Sequence, residues 1–256
     1  MRNFSFAFAV LSFAACAGHH GTTVGTDPLA GDTSADDAKA DGPYNVHDVQ
    51  GYLAVTKTGA CTNPITCAPY QLTRVNRATV TCNDGQSHEQ CTVKAISYAA
   101  LGLSQDQQDA IEAALDAQNA DASIGTQVIV KGQFRIYVDF LAFEASEVWM
   151  AQMPNGSTDS GTWVLLSDTG LRCFGNCAAV REEKLNSSRA DAINGMDFGD
   201  GFDQQMQIAI GTQERASQGV IVVGERTEGV GEGPGNYTTE LRSVDQAFFP
   251  VVAASL

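Results

Sequence analysis

Six cysteines in three close pairs carry the most explicit chemistry in this chain: Cys61 and Cys67, Cys82 and Cys91, Cys173 and Cys177. Thiols at such spacings either oxidise to disulfides or hold a metal ion as thiolates, and the redox compartment decides between them. An exported chain oxidises its thiols, so the six read as disulfides, with no metal and no cofactor expected. Neighbour pairing is preferred among several possible connectivities. A zinc site built by four thiolates from different loops is the alternative.

A seventh cysteine, Cys16, belongs to another setting. Arg2 is followed by the apolar run 4–13 (FSFAFAVLSF), which is too short to span a bilayer. Phe13-Ala14-Ala15-Cys16 then resembles the bacterial lipobox, in which the signal is cut before a cysteine that becomes acylated. Phe13 stands where leucine is usual, and an ordinary signal peptide cut nearby is the alternative. Residues 1–15 are therefore expected to be a lipoprotein signal peptide and Cys16 the lipidated residue, carrying palmitate-type chains. Attachment by more than one chain anchors stably. Ala17, rather than the aspartate of inner-membrane retention, points to the outer membrane, at its periplasmic or cell-surface face.

Residues 16–45 hold few large apolar side chains and add Asp32, Asp36, Asp37 and Asp41. Such a segment buries too little to offset its ordering entropy and reads as a disordered acidic tether with a mean reach of about 30 Å. His19-His20 within it reads as two solvated residues rather than a metal site.

The elements that must position these cysteines occur twice. Thr58-Gly59 precedes Cys61, and Thr169-Gly170 precedes Cys173; an asparagine lies nine residues beyond the second cysteine of each pair, Asn76 after Cys67 and Asn186 after Cys177. Each copy later has a matching strand, 128–132 (VIVKG) and 220–224 (VIVVG). These matches read as an internal duplication, with a first β-rich repeat at 46–153, a linker at 154–162 and a second repeat at 163–256.

In the first repeat, strands are expected at 52–57, 70–75 and 92–98 from alternating apolar residues. Asn83-Asp84-Gly85 turns a hairpin between Cys82 and Cys91. Ser104 and Gln107 form a capping box ahead of a helix whose apolar face is Ala110, Ile111, Ala114 and Leu115. Two long strands follow, with Gly132 allowing a bend or bulge. In the second repeat, strands are expected at 163–168, 180–185, 220–223 and 241–251, with a helix at 200–210. Three strands, a helix and two strands is the order of the OB-fold. The expected fold is mostly β with one short helix per repeat: two tandem OB-like small barrels or twisted sheets.

The remaining candidates read as structural. The run 229–235 (GVGEGPG) follows a strand but opens no helix, and Glu228 and Glu232 repel anions, so it reads as a hairpin tip. Asp197, Asp200 and Asp203 lack calcium-loop spacing and read as acids gathered at a helix N-terminus. His47 and His88 have no accompanying triad pattern. Asn76 and Asn186 read as turn residues tolerating a left-handed backbone. Acidic residues number 30 against 15 basic, for a formal charge of −15, which argues against nucleic-acid partners.

With these residues in place, the chain resembles a family of uncharacterised bacterial lipoproteins carrying a domain of unknown function. The resemblance rests on the lipobox and acidic tether, Cys61…Cys67 with Val75-Asn76-Arg77, Cys82-Asn83-Asp84-Gly85…Cys91, 100–104 (ALGLS), 130–132 (VKG), 147–149 (EVW), 170–173 (GLRC), 184–186 (KLN) and 222–224 (VVG). It implies location and domain identity and no catalytic residue. The expected function is a non-catalytic, membrane-anchored binding module of the cell envelope, with an envelope protein, a glycan or a protease as partner and an exposed apolar or aromatic patch involving Tyr70, Tyr137 or Trp149. A protease-inhibitor-like module presenting the Cys61–Cys67 loop is one alternative, and a carboxylate-dependent hydrolase is the other.

Overall fold

The computed structural model describes residues 51–58, 67–121, 123–137, 140–153, 156, 161–172, 177–230 and 238–253. The described residues are mostly β with two α-helices, and the main sheet curls into a half-barrel. The first half contains β1 (Tyr52–Lys57), β2 (Tyr70–Arg74), β3 (Val80–Thr81), β4 (Ser87–His88), β5 (Cys91–Val93), β6 (Ala95–Ser97), helix α1 (Gln105–Ala120), β7 (Val128–Tyr137) and β8 (Phe140–Ala151). The second contains β9 (Thr162–Asp168), β10 (Val180–Lys184), β11 (Ala190–Ile193), β12 (Gly195–Asp197), helix α2 (Gln204–Glu214), β13 (Val220–Gly224), β14 (Arg226–Val230), β15 (Thr238–Ser243) and β16 (Gln246–Pro250).

One sheet runs β11-β10-β9-β13-β16-β8-β7-β1-β2-β5, so both halves share it and meet where β16 pairs antiparallel with β8. β6 adds to β8 in parallel, Ala95 to Ser97 against Ala142 to Glu144. β12 lies parallel to β15 in a smaller sheet with β14. The expectation of two tandem OB-like small barrels or twisted sheets leaves open whether the halves share a core, and the β8–β16 ladder joins them in one sheet. The strand expected at 92–98 divides at Lys94 because β5 serves β2 while β6 serves β8. The strand expected at 241–251 divides in the same way into β15 and β16, and 226–230 pairs as β14. The short strands β11 and β12 were not expected: 190–193 (ADAI) and 195–197 (GMD) carry little β propensity, and pairing alone makes them strands.

Strand alternation sorts the apolar residues into three cores. Leu53 and Val55 of β1, with Val128 and Val130 of β7, enter a core under α1 that also holds Phe134, Phe143, Ile111 and Leu115. Val164 and Leu166 of β9, with Val220 and Val222 of β13, enter a second core with Ile210 of α2. The opposite faces of the same strands contribute Ala54, Ile129, Trp163, Ile221 and Val223 to a third core, with Trp149 and Phe248, at the seam of the halves. A strand covered on both faces reads as an unbroken apolar run, which accounts for 128–130 and 220–223. Sliding either strand by one residue would exchange the two faces.

Local chemistry sets the connections. Ser104 accepts from Gln107 N, and Gln107 Oε1 accepts from Ser104 N, so the capping box forms. α2 begins at Gln204 rather than 200, because Asp203 is its cap and accepts from Met206 N at 2.7 Å. The residues before that cap form a short 3-10 turn, Gly199–Gly201. The bulge falls between Lys131 and Gly132, where a Cβ on Gly132 would lie 2.0 Å from Glu144 O. Glycine is therefore required there.

The seam is held by two asparagines. Asn76 and Asn186 both have a left-handed backbone, with φ of 58° and 59°. Asn76 Nδ2 donates to Trp163 O at 2.7 Å and Leu185 O at 3.0 Å, and its Oδ1 accepts from Trp163 N at 2.9 Å. Asn186 returns the pattern on the first half: Nδ2 donates to Tyr52 O and Val75 O, both at 2.8 Å, and Oδ1 accepts from Tyr52 N at 2.8 Å. Each side chain thus satisfies backbone groups in the other half, including the carbonyl and amide at the start of β1 or β9.

Two substitutions separate the parts of this clasp. Asn76→Gly keeps the backbone conformation and removes the bonds, leaving part-buried backbone groups unpaired; unfolding free energy should fall by about 2–3 kcal/mol. Asn76→Ala adds the left-handed penalty and should lose roughly 1 kcal/mol more. Urea denaturation measures both, and a loss below about 1 kcal/mol in each would show that the apolar seam holds the halves unaided.

Candidate binding site

A groove of about 390 Å³ opens at the seam, lined by both halves and by the 250–253 segment. Tyr52 comes from β1, Leu165 from β9, Gln218 from the approach to β13, and Ser146 to Trp149 from β8. Its position follows from the pairing of β8. That strand is flanked on one edge by β6 along 142–144 and by β16 along 149–151, so neither strand lies beside 145–148. Ser146 lies at the bulge, and its hydroxyl donates to Lys131 O at 3.1 Å. The 251–253 segment closes one side: Val251 N donates to Val148 O at 2.8 Å, and Val252 O accepts from Gln107 Nε2 at 2.7 Å.

Glu147 is the electrostatic centre of this groove. It accepts from Lys131 Nζ at 2.8 Å, Tyr52 Oη at 3.3 Å and Trp149 Nε1 at 3.4 Å. Lys131 also lies 5.1 Å from the centre of the Tyr52 ring. Burial, and then the Glu147 charge, push the Tyr52 hydroxyl far above its ordinary pKa, so Tyr52 remains a neutral donor. The surrounding wall is largely aliphatic: Leu101, Val148, Leu165, Val251 and Val252, the last 51% exposed. The arrangement can seat an apolar group and offer it Ser146, Gln218 and the Glu147 carboxylate.

Of the residues named for an apolar or aromatic patch, Tyr70 and Trp149 do not share a surface. Trp149 is only 3% exposed and supports the groove from below. Tyr70 points elsewhere, donating to Glu112 on α1 at 3.0 Å; burial and the Glu112 charge push its hydroxyl up to about 12. The side chain of Tyr137 lies outside the described residues.

Cys82 and Cys91 form the expected disulfide. Cys16, Cys61 and Cys173 lie outside the described residues, so the pairs proposed for Cys67 and Cys177 and the lipidation of Cys16 do too. The same holds for His19, His20, His47 and most of the 229–235 run. His88 pairs with Asp84 at 2.8 Å on an exposed turn. Asp197 accepts from Gly199 N at 3.2 Å, apart from the cap role of Asp203.

Among the carboxylates with shifted pKa values, Asp168 and Glu214 move in opposite directions. Two hydrogen-bonding partners, Arg172 and the Gly170 amide, hold Asp168 down at about 2. Burial, and then the Asp168 charge, raise Glu214. Neither residue lines the seam groove.

A buried charged cluster in the second half went unnoticed in the sequence. Arg242 and Glu182 are fully buried, joined through Nε–Oε2 at 2.6 Å and Nη2–Oε1 at 2.8 Å, and Arg242 Nη1 donates to Gly224 O at 2.9 Å. Arg226, 8% exposed, also reaches Glu182 at 3.0 Å, Asp191 at 2.9 Å and Glu240 at 3.1 Å. Two ladders of the first half pair apolar residues in a similar way: Phe134 lies across from Phe143 as Arg226 does from Arg242, and Leu72 pairs with Val55 as Glu182 does with Leu166. In sequence, 180–184 (VREEK) reads as an ordinary half-exposed strand, and nothing local marks Glu182 as buried.

A family model described as Domain of unknown function (DUF6748) matches residues 52–254. No curated protein and no solved structure matches the chain.

The charged cluster is self-contained, and its energetic role can be isolated. Arg242→Met leaves the fully buried Glu182 with Arg226 as its remaining guanidinium partner and should cost about 3 kcal/mol. Replacing the group together, Glu182→Leu with Arg226→Phe and Arg242→Phe, copies the apolar set of the first half and should restore stability to within about 1–2 kcal/mol of the parent. Urea denaturation of both variants decides; a triple variant as unstable as the single one would show that the charges themselves support the fold.

Proposed function

The chain belongs to the family defined by this domain of unknown function, which spans residues 52–254, and on that premise we propose that it is a secreted, membrane-anchored envelope lipoprotein acting as a non-catalytic binding module. The N-terminal run ending at Cys16 and the acidic segment after it support anchoring at the outer membrane through a tether. Two OB-like barrels arising from an internal duplication are part of the same reading. That reading is supported by the ring of pairings β1-β2-β5, β6-β8, β8-β7 and β7-β1, and by its counterparts β9-β10-β11, β12-β15, β15-β14, β13-β16 and β13-β9.

The observation that carries the binding role is the seam groove. It is built jointly by the two halves, walled by Val148, Leu165 and Val252, and provided with a hydrogen-bonding group at Ser146, Gln218 and Glu147. An apolar segment of an envelope protein is its ligand. A protease-inhibitor role would rest on the Cys61–Cys67 loop, most of which lies outside the described residues.

A second reading, a carboxylate-dependent hydrolase, would use two close acids, and Asp168 and Glu214 are the pair to test because the charge of one acts on the other. Turnover of a panel of nitrophenyl esters and glycosides, lost in both Asp168→Asn and Glu214→Gln, would establish it; no turnover would remove it.

The binding role is tested by crosslinking the anchored protein and a soluble Cys16→Ser form in the envelope. One partner should be captured in near-equal amount by both forms. Val252→Lys, at an exposed position on the groove wall, should reduce that capture at least about tenfold, a change of about 1.4 kcal/mol. Ile136→Lys, exposed elsewhere on β7, should leave it unchanged. Capture unaffected by Val252→Lys would overturn the groove as the binding surface.

A further inference from the structure

A second groove, separate from the seam, runs along the outer face of α2. It measures about 500 Å³ and is lined by Met196, Phe198, Gln207, Ile208, Gly211 and Arg215, among others. We propose that this groove binds a free fatty carboxylate, with its chain on Met196, Phe198 and Ile208 and its head on Arg215.

Three observations carry the assignment. The first is Gly211. It stands eight residues beyond the helix cap Asp203, as Glu112 stands eight beyond Ser104 in the first half. Glu112 occupies its place fully, accepting from Tyr70 and pairing with Lys57 at 3.2 Å. At Gly211 there is no side chain, and a Cβ there would meet only Arg215 Nη2, at 3.8 Å. The helix surface is thereby opened and the guanidinium brought over the opening.

The second observation is apolar exposure. Ile208 is 62% exposed on a helix whose inward residue is Ile210. Met196 and Phe198 are only partly buried against the second core. Ile208 thus stands as an exposed apolar side chain beside two partly buried ones on the groove wall.

The third observation is charge. Arg215 is the sole ionic residue lining the groove, and its side chain is 68% exposed. Glu214 lies on its buried side, with Nε–Oε2 at 3.9 Å, and the Asp168 charge also acts on the guanidinium. The whole chain carries −15 and Asp197 and Asp203 flank the trough, so the Arg215 guanidinium is the one feature of its lining that would select an anionic over a cationic amphiphile. A methylene is about the size of a water's share of the liquid, roughly 30 Å³, so ten carbons need about 300 Å³. The groove accommodates them with part of the chain open to solvent.

The probe is decanoate, titrated below its micellar concentration into the soluble Cys16→Ser chain and followed by amide chemical shifts. Shifts confined to β12 and α2, saturating with a Kd of about 1 mM, are expected for a dozen heavy atoms in an open groove. Decanol should bind about tenfold more weakly, and acetate and decyltrimethylammonium should leave those amides unmoved. Arg215→Gln should bring decanoate down to the affinity of decanol. Gly211→Glu, which restores the arrangement of the first half and improves helix propensity, should abolish binding while the remaining amide spectrum stays native. Equal binding of decanoate and decyltrimethylammonium, binding that survives Gly211→Glu, or shifts centred on the seam groove would each overturn the assignment. Capture of a protein at the seam is unaffected by any of these outcomes, so the two sites fail independently.

Discussion

The reciprocal grip of Asn76 and Asn186 is the constraint on which the rest of the arrangement depends. Each turn places its asparagine in the left-handed region, and that backbone aims the amide across the seam. The carboxamide then meets both a donor and an acceptor of the opposite half, a match that only a group with both functions can make. Gly51 shows how closely the pieces approach, since a Cβ there would stand 2.8 Å from Asn186 Oδ1. Hydrogen bonds alone are modest in net energy. Their value here is positional: they set how Trp163 and Phe248, with ring centres 5.3 Å apart, enter the common core.

That seam uses strands whose two faces serve different cores. β1, β7, β9 and β13 each line the core of their own half with one face and the shared core with the other. The two halves nevertheless fill similar pairings with opposite chemistry. Leu72, Phe134 and Phe143 are apolar, whereas Glu182, Arg226 and Arg242 are charged, and all are largely or fully out of water. Leu115 on α1 corresponds in position from its cap to Glu214 on α2. A closed interior accepts either an apolar set or a mutually neutralising one, provided the charged groups remain paired. One backbone pattern therefore carries two kinds of interior.

Both grooves follow from departures within this pattern. The seam groove lies where the bulge at Gly132 displaces β8 and neither β6 nor β16 runs beside 145–148. The α2 groove lies where Gly211 leaves the place that Glu112 fills on α1. In each case a single local feature removes what would otherwise cover apolar residues. The sites are thus consequences of small differences on a well-determined frame, and the frame itself can remain stable while they change.

Much of the local structure was legible in the chain. The capping box at Ser104, the bulge at Gly132, the left-handed asparagines, the alternating strands and the Cys82–Cys91 disulfide follow from residue types a few positions apart. Helix α2 was displaced by a few residues because several acids compete as caps and only Asp203 has its side chain on the amide of the first turn. The sequence by itself determined which residues share a face, because that depends on the fixed periods of strand and helix. Only the tertiary structure decided what each face meets: that Asn76 reaches Trp163, 87 positions away, that Glu182 is enclosed with Arg242, and that Trp149 is covered instead of displayed. Periodicity carries no information about the partner across a gap, and a charged residue on an alternating strand reads the same whether water or a guanidinium lies opposite it.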